Sequence, residues 1–253
     1  MNLPAESLDV RIADKIGEIC FSSEKANSLS KSLLSQLAQT VDKLTSESSV
    51  RVILLKSAGE AAFCAGASFE EFKRISTLAQ SEEFFMGFAR VILAMRRSTK
   101  LVVTRVQGKA VGGGLGLIAA ADYAAAATQS KGRLSEFELG IGPFTIGPAV
   151  ERKIGISAFS AMTLDCAWRE ADWLHDRGLY SALAASAASL DQQVLEVVKK
   201  FAGASPAATR ELKLIIWRGT EDWEQLLPER ARTSGRLLFE TISGPAKDSV
   251  RIS

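Results

Sequence analysis

One histidine and three cysteines in 253 residues, with no sustained run of like charge, remove several classes of chemistry at the outset. Any Ser–His–Asp or Cys–His relay would have to use His175. It sits in Trp173-Leu174-His175-Asp176-Arg177, an expected polar helix end where a surface or capping role is the ordinary one. Cys20, Cys64 and Cys166 are far apart and odd in number. With a single histidine they form no ligand cluster, so no metal site is expected and the chain reads as a reduced, cytoplasmic protein. A formal net charge of +2 without a basic stripe argues against nucleic acid or a membrane surface as partner. No apolar segment reaches the roughly 18 residues that a bilayer span requires. The N-terminal stretch MNLPAESLDVRIADK lacks the basic–apolar–small layout of a secretion signal.

What is present is apolar and punctuated by glycine. Hydrophobic residues make up 47% and charged residues 24%, the balance of a globular protein. The length suits one large domain, or one domain with a smaller appendage. The stretch Leu101 to Glu136 carries the strongest signal. Leu101–Val106 is a β-branched apolar run, predicted as a buried strand. Gly112-Gly113-Gly114 follows, then LGLIAAADYAAAA, predicted as a helix packed on all sides. Glycines between a buried strand and a helix permit close backbone approach and leave the first helical N–H groups without partners, donors suited to an anionic oxygen.

Upstream, Leu8–Ile12 and Ile16–Phe21 flank Asp14-Lys15, a predicted hairpin turn. Ser30 is a candidate N-cap for a helix with Leu33, Leu37, Val41 and Leu44 at helical spacing. Val50–Leu55 reads as a strand, and Ala62–Ser68 followed by Phe69–Arg74 forms a second strand–Gly–helix junction. Helical sequence covers Glu82–Met95, Gly147–Ile154, Ser157–Leu164, Ala182–Ala204 and Pro206–Leu238. The repeating order of strands, junctions and helices gives an α/β class. No strand signal follows residue 195. That change divides the chain into 1–195, an α/β core, and 196–253, a helical tail whose Trp217 and Trp223 are expected on a packing or oligomer surface.

Two glycine junctions can offer two backbone N–H groups to one carbonyl oxygen and stabilise the charge that develops when a neighbouring carbon is deprotonated. Such chemistry needs an acid or base, and with histidine excluded a carboxylate is the natural candidate. Glu136 lies between the polar turn Ser130–Arg133 and an apolar loop, where burial raises a carboxyl pKa toward the working range. Its bland alternatives are a solvent-facing carboxylate or a salt bridge to Arg133.

The chain resembles the crotonase superfamily, the enoyl-CoA hydratase/isomerase family. The resemblance rests on Lys25-Ala26-Asn27-Ser28-Leu29, Phe63-Cys64-Ala65-Gly66-Ala67, Gln107–Gly114, Leu134-Ser135-Glu136 and Leu139-Gly140-Ile141, in the family's order and spacing over about residues 8–180. It implies a crotonase-like spiral of ββα units with a helical C-terminal trimerisation region, assembled as a trimer or hexamer. It implies an acyl-CoA thioester as substrate, no other cofactor, and an oxyanion hole formed by the N–H groups of Ala67 and Gly113. The CoA moiety would run along Lys25, Ala26, Ala65, Gly66, Ala67 and Gly112. Glu136 stands where the family places its second catalytic glutamate.

One departure bears on the reaction. Where the family's hydratases carry their first catalytic glutamate, two residues after the glycine triplet, this chain has Gly116. Hydration is easiest with two carboxylates, whereas double-bond isomerisation or decarboxylation needs one base or none beyond the oxyanion hole. Asp122, Glu138, Glu82 and Glu83 are the acids that could substitute. Two competing readings remain at this stage. Gly114–Ala119 matches G-x-G-x-x-A with Glu136 about 20 residues on, as a dinucleotide fingerprint asks. A non-catalytic or RNA-binding scaffold that kept the fold is the other. Phe72–Phe88 and Pro143–Ile146, with Phe84, Phe85, Phe88 and Phe144, are the expected acyl-lining segments.

Overall fold

Asp14 and Lys15 both take left-handed backbone angles (φ 51° and 67°), which closes the predicted hairpin between β1 (Glu6–Ala13) and β2 (Ile16–Ser23). The structure, a computed structural model, describes residues 6–243. The start of the stretch screened for a signal and the end of the 196–253 tail lie outside the described residues. Ser30 Oγ accepts the Leu33 N–H and caps α1 (Lys31–Ser46), whose Leu33, Leu37, Val41 and Leu44 are buried. There follow β3 (Val52–Ser57), β4 (Ala62–Cys64), the single turn α2 (Phe69–Phe72) and α3 (Leu78–Arg97). Next come β5 (Leu101–Val106), β6 (Lys109–Val111), α4 (Gly113–Ala119), β7 (Tyr123–Ala127) and β8 (Lys131–Arg133). A 3-10 turn at Glu136–Leu139 leads to α5 (Gly147–Asp165), β9 (Arg169–Glu170), α6 (Ala171–Asp176) and β10 (Ala182–Ala184). The chain then runs through α7 (Ala187–Ala202), α8 (Pro206–Ile216) and α9 (Trp223–Ser243).

Two sheets result. One has six strands in the order β1-β2-β3-β5-β7-β10, parallel from β2 onward; the other has the order β4-β6-β8-β9. From β3 through β8, each pair of successive strands sends one member to each sheet before a helix returns the chain. That alternation winds the ββα units into the expected spiral.

Two local expectations are corrected. The alanine run is cut short as a helix at Ala119, and Tyr123–Ala127 is a strand. Ala124 and Ala126 pack into the main core, while Ala125 and Ala127 pack into a second core beneath α7, so both faces of β7 are buried. Small side chains on a strand flanked by parallel neighbours outweigh alanine's helix preference. Residues Ala182–Ala184 pair with Ala125–Ala127 as β10 rather than opening a helix. The two helices expected on either side of Gly155 are both present within α5, divided at Gly155, whose backbone is not helical (φ 76°, ψ 158°).

The C-terminal segment also differs. It breaks between α8 and α9, and the boundary expected at 195 falls inside α7. Trp217 and Trp223 are each only 5% exposed, packed edge to face at 5.7 Å. Trp217 Nε1 donates to Asp122 Oδ1 at 2.7 Å, and Lys213 Nζ donates to Asp122 Oδ2 and to the Met95 and Lys100 carbonyls. Buried charge this far from water needs such full pairing. The network ties α8 onto the core helix α3 and the strand β5.

Candidate active site

Three adjacent strands of the small sheet deliver the site. The β4, β6 and β8 strands are parallel neighbours, and Ala67, Gly112-Gly113 and Glu136 each follow the carboxyl end of one within three residues. Carboxyl ends of parallel strands are where α/β proteins gather their ligand-facing loops. Around Ala67 the backbone pairing is specific. Leu29 N–H donates to Gly66 O at 2.8 Å and Ser68 N–H to Leu29 O at 2.9 Å, forming a parallel bridge between Leu29 and Ala67. In such a bridge the central residue's own N–H faces away from its partner. At the second junction Gly112 N–H donates to Arg133 O, and Leu115 and Gly116 N–H groups return to Gly112 O, leaving Gly113 at the open first turn of α4.

Glycine is required where the two junctions meet. Gly66 has φ 88°, and a Cβ there would lie 3.0 Å from Val111 O and 3.7 Å from Gly113 N. Gly112 has φ 48°, and a Cβ there would lie 2.7 Å from Glu136 Oε1. The structure therefore brings Ala67, Gly112, Gly113 and Glu136 to one place, the walls of a cavity of about 500 Å³.

Glu136 is half-buried as a residue, but its Oε2 is fully buried and without a hydrogen-bond partner among the described residues. Burial pushes its carboxyl up to about 7, against smaller opposing effects of nearby backbone N–H groups and Arg133. The salt bridge weighed above is not made: Arg133 pairs instead with Glu138. Among the described carboxylates only Glu136 and Glu138 line the cavity. Asp122 is consumed in the Lys213–Trp217 network, and Glu83 is held by Arg90 at 2.6 Å. Glu82 is not among the cavity-lining residues; its backbone is where Gly235 of α9 crosses α3.

The position of the absent acid is occupied. A Cβ on Gly116 would sit 2.6 Å from Ile146 Cγ2 and 2.7 Å from Ile146 Cβ, and Ile146 lines the cavity. The same packing disposes of the dinucleotide fingerprint. Gly114 faces the Cys64 carbonyl, 2.6 Å from a would-be Cβ, so the triplet serves close packing rather than an open phosphate cradle. His175 is exposed, with Nδ1 2.8 Å from Tyr180 O, and it does not border the cavity.

Of the expected CoA contacts, Ala65 and Gly66 line the cavity. Ala26 O accepts the Ala65 N–H at 3.1 Å, which joins the two segments. Lys25 is exposed and stands outside the cavity lining. Asn27, left-handed at φ 58°, clamps this region. Its Oδ1 accepts from Ser23 N–H, and its Nδ2 donates to the Ala58 and Ala62 carbonyls. The expected aromatic lining is present: Phe72, Phe84, Phe85, Phe88 and Phe144 all face the cavity, joined by Phe69 and Trp168. Phe88 lies directly on Gly113, where a Cβ would be 2.2 Å from its ring. Ser234, on α9, also reaches the cavity, and no local sequence signal marks it.

Paired sheets wound by ββα units, with a cavity at the carboxyl ends of the small sheet, define the crotonase class of fold. A solved structure of an enoyl-CoA hydratase from Bacillus halodurans superposes with a TM-score of 0.85 at 21% identity, over 92% of this chain and 96% of that one. The family model for enoyl-CoA hydratase/isomerase matches residues 11–244, and the chain belongs to that family. Human mitochondrial methylglutaconyl-CoA hydratase is 32% identical over 237 residues, covering 87% of this chain and 69% of that protein. The mouse protein of the same name is 33% identical over 201 residues, covering 77% and 63%. The chain thus spans about two thirds of the length of these relatives. None of the described helices is long and apolar enough to cross a membrane.

Proposed function

We propose that this chain is an acyl-CoA enzyme that forms a thioester enolate in a backbone oxyanion hole, with Glu136 as its single general acid/base. Double-bond migration is the reaction that suits it best. The thioester oxygen would accept from the N–H groups of Ala67 and Gly113, each such donor being worth about 10²–10³ in rate. The CoA moiety would follow Ala26, Ala65, Gly66 and Gly112, with Lys25 at its outer end, and no further cofactor is required. Glu136, as carboxylate, takes a proton from C2 of a 3-enoyl thioester. The C2–H electron pair moves into the C1–C2 bond and the carbonyl π pair moves onto the thioester oxygen, while the 3,4-double bond stays in place until C4 is protonated. The dienolate so formed carries its negative charge on the thioester oxygen. The protonated Glu136 then returns its proton to C4 and the 2-enoyl thioester results. A carboxyl near 7 has both forms available for this cycle at neutral pH.

The observation that carries the reading is the pairing of one buried carboxylate, Glu136, whose Oε2 has no partner among the described residues, with Ile146 packed where a second acid would stand. Hydration is the second reading, favoured by the names of the relatives, and it would have to recruit Glu138 from Arg133. Decarboxylation, which needs little beyond the oxyanion hole, is a third, and a non-catalytic scaffold a remote fourth. Self-association into a trimer or hexamer through 196–253 fits the apolar side chains of α8: Leu212, Leu214 and Ile215 are all at least half exposed. The test of the catalytic assignment is Glu136→Gln. It should abolish migration by at least 10²-fold while leaving acyl-CoA binding measurable. Undiminished turnover in the folded variant would remove Glu136 from the mechanism.

A further inference from the structure

The cavity is apolar over most of its wall, yet two hydroxyls meet in it. Thr145, between the cavity residues Phe144 and Ile146, and Ser234, on α9, are 3% and 1% exposed. Their only side-chain hydrogen bond among the described residues is to each other, Oγ1 to Oγ, at 3.4 Å. That is long for a hydroxyl pair, whose usual separation is about 2.7–2.8 Å. A buried helical serine or threonine ordinarily turns its hydroxyl back to the carbonyl one turn earlier. Thr233 and Thr241 of the same helix do so, to Glu229 O and Leu237 O. Ser234 does not. Two hydroxyls bring two hydrogens, and only one can lie between them. The other has no acceptor among the described residues, and an unsatisfied buried donor is costly.

The Ser234 side of the pair is held against α3, and Thr145 adjoins Ile146 in the cavity wall. Ser81 Oγ donates to Gly235 O at 2.7 Å, which fixes Ser234 beside the first turn of α3. Phe88, the residue lying on Gly113, is seven residues further along the same helix, about 10 Å at 1.5 Å per residue. Arg133, the cation lining the cavity among the described residues, is already neutralised by Glu138. The wall at this pair therefore offers neutral donors and no free positive charge.

We propose that Thr145 and Ser234 form a subsite for an uncharged oxygen, a hydroxyl or keto group, carried on the acyl chain. This rests on the acyl-CoA reading given above and adds a substrate class to it: oxygenated acyl thioesters bind in preference to plain ones of equal length. An acyl group ending in a carboxylate gains nothing here, because the hydroxyls supply no compensating cation.

Saturated acyl-CoAs test the subsite without turnover. Calorimetry would compare one plain chain with chain-matched thioesters bearing a single hydroxyl or keto oxygen at successive carbons. One position should bind about 3- to 10-fold tighter than the plain chain, the worth of one good hydrogen bond. Thr145→Val and Ser234→Ala should each bring that ratio to about one, and Thr145→Ser should keep it. Equal binding of all probes by the wild-type protein, or a preference that survives both substitutions, overturns the proposal; the hydroxyls would then hold water only. Should Ser234→Ala fail to fold, the Thr145 pair decides. A preference without any isomerisation of 3-enoyl-CoA would refute the catalytic reading and leave the subsite standing.

Discussion

Replacing Glu136 by glutamine should change the pH dependence of stability in a calculable way. Burial raises this carboxyl from 4.5 to about 7, so ionising it in the folded protein costs about 3 kcal/mol more than in the unfolded chain. The sign follows from proton binding. The folded state holds this proton more tightly, so the cost is absent below pH 4.5, grows as pH rises from there to 7, and is constant above. From pH 8 down to pH 5 the wild-type protein should therefore gain about 2 kcal/mol from this residue alone. Glutamine cannot ionise, and the variant should lack that gain, while every other titrating group behaves alike in both. The buried amide adds a roughly constant cost of about 1–3 kcal/mol if it finds no partner, which shifts both pH values together and leaves the difference intact. Urea unfolding at pH 5 and pH 8, at one fixed protein concentration, reads it directly. Parallel pH dependences for the two proteins would show that Glu136 titrates normally, and the case for a neutral-pH acid/base would fall with it.

Other substitutions probe the surrounding packing. Gly116→Glu should cost about 1–3 kcal/mol in stability through collision with Ile146 and should not confer hydration of crotonyl-CoA. Hydration by that single variant at full stability would show that the second acid's place is open. Gly113→Ala puts a Cβ 2.2 Å from the Phe88 ring, so thermal stability and kcat/KM should both fall, with Phe88→Leu recovering part of the stability; an unaffected enzyme would mean that the ring is not seated there. Lys213→Met leaves Asp122 buried without its hydrogen-bonded cation, and should destabilise by about 3–5 kcal/mol in denaturant unfolding, whereas a neutral outcome would show that α8 does not depend on this pair.

The sequence shows those features whose signal is local. The Asp14-Lys15 turn, the Ser30-capped helix and the strand Leu101–Val106 each carry their information within a few residues. Gly112–Gly114 and Glu136 were likewise visible as a junction and a candidate acid. The short strands that bring them together were not. Lys109–Val111 and Lys131–Arg133 are three residues each, too short for any period to show, and they exist because β4, β6, β8 and β9 complete one another's ladders. The alanine run of β7 misled for a related reason: its two buried faces are set by helices and strands remote in sequence. Distance in the chain also hid the cavity wall that Glu136 shares with Phe88 from α3 and Ile146 just before α5. The role of Trp217 was equally hidden, because its partner Asp122 is 95 residues away.

The measurement that bears most directly on the central claim is a paired assay of the purified protein with crotonyl-CoA and a 3-enoyl-CoA, following water addition on the first and double-bond migration on the second. One carboxylate working alone predicts migration of the 3-enoyl thioester with no comparable hydration of crotonyl-CoA. Brisk hydration would contradict it, requiring a second acid in a cavity where Glu138 is the only other described carboxylate.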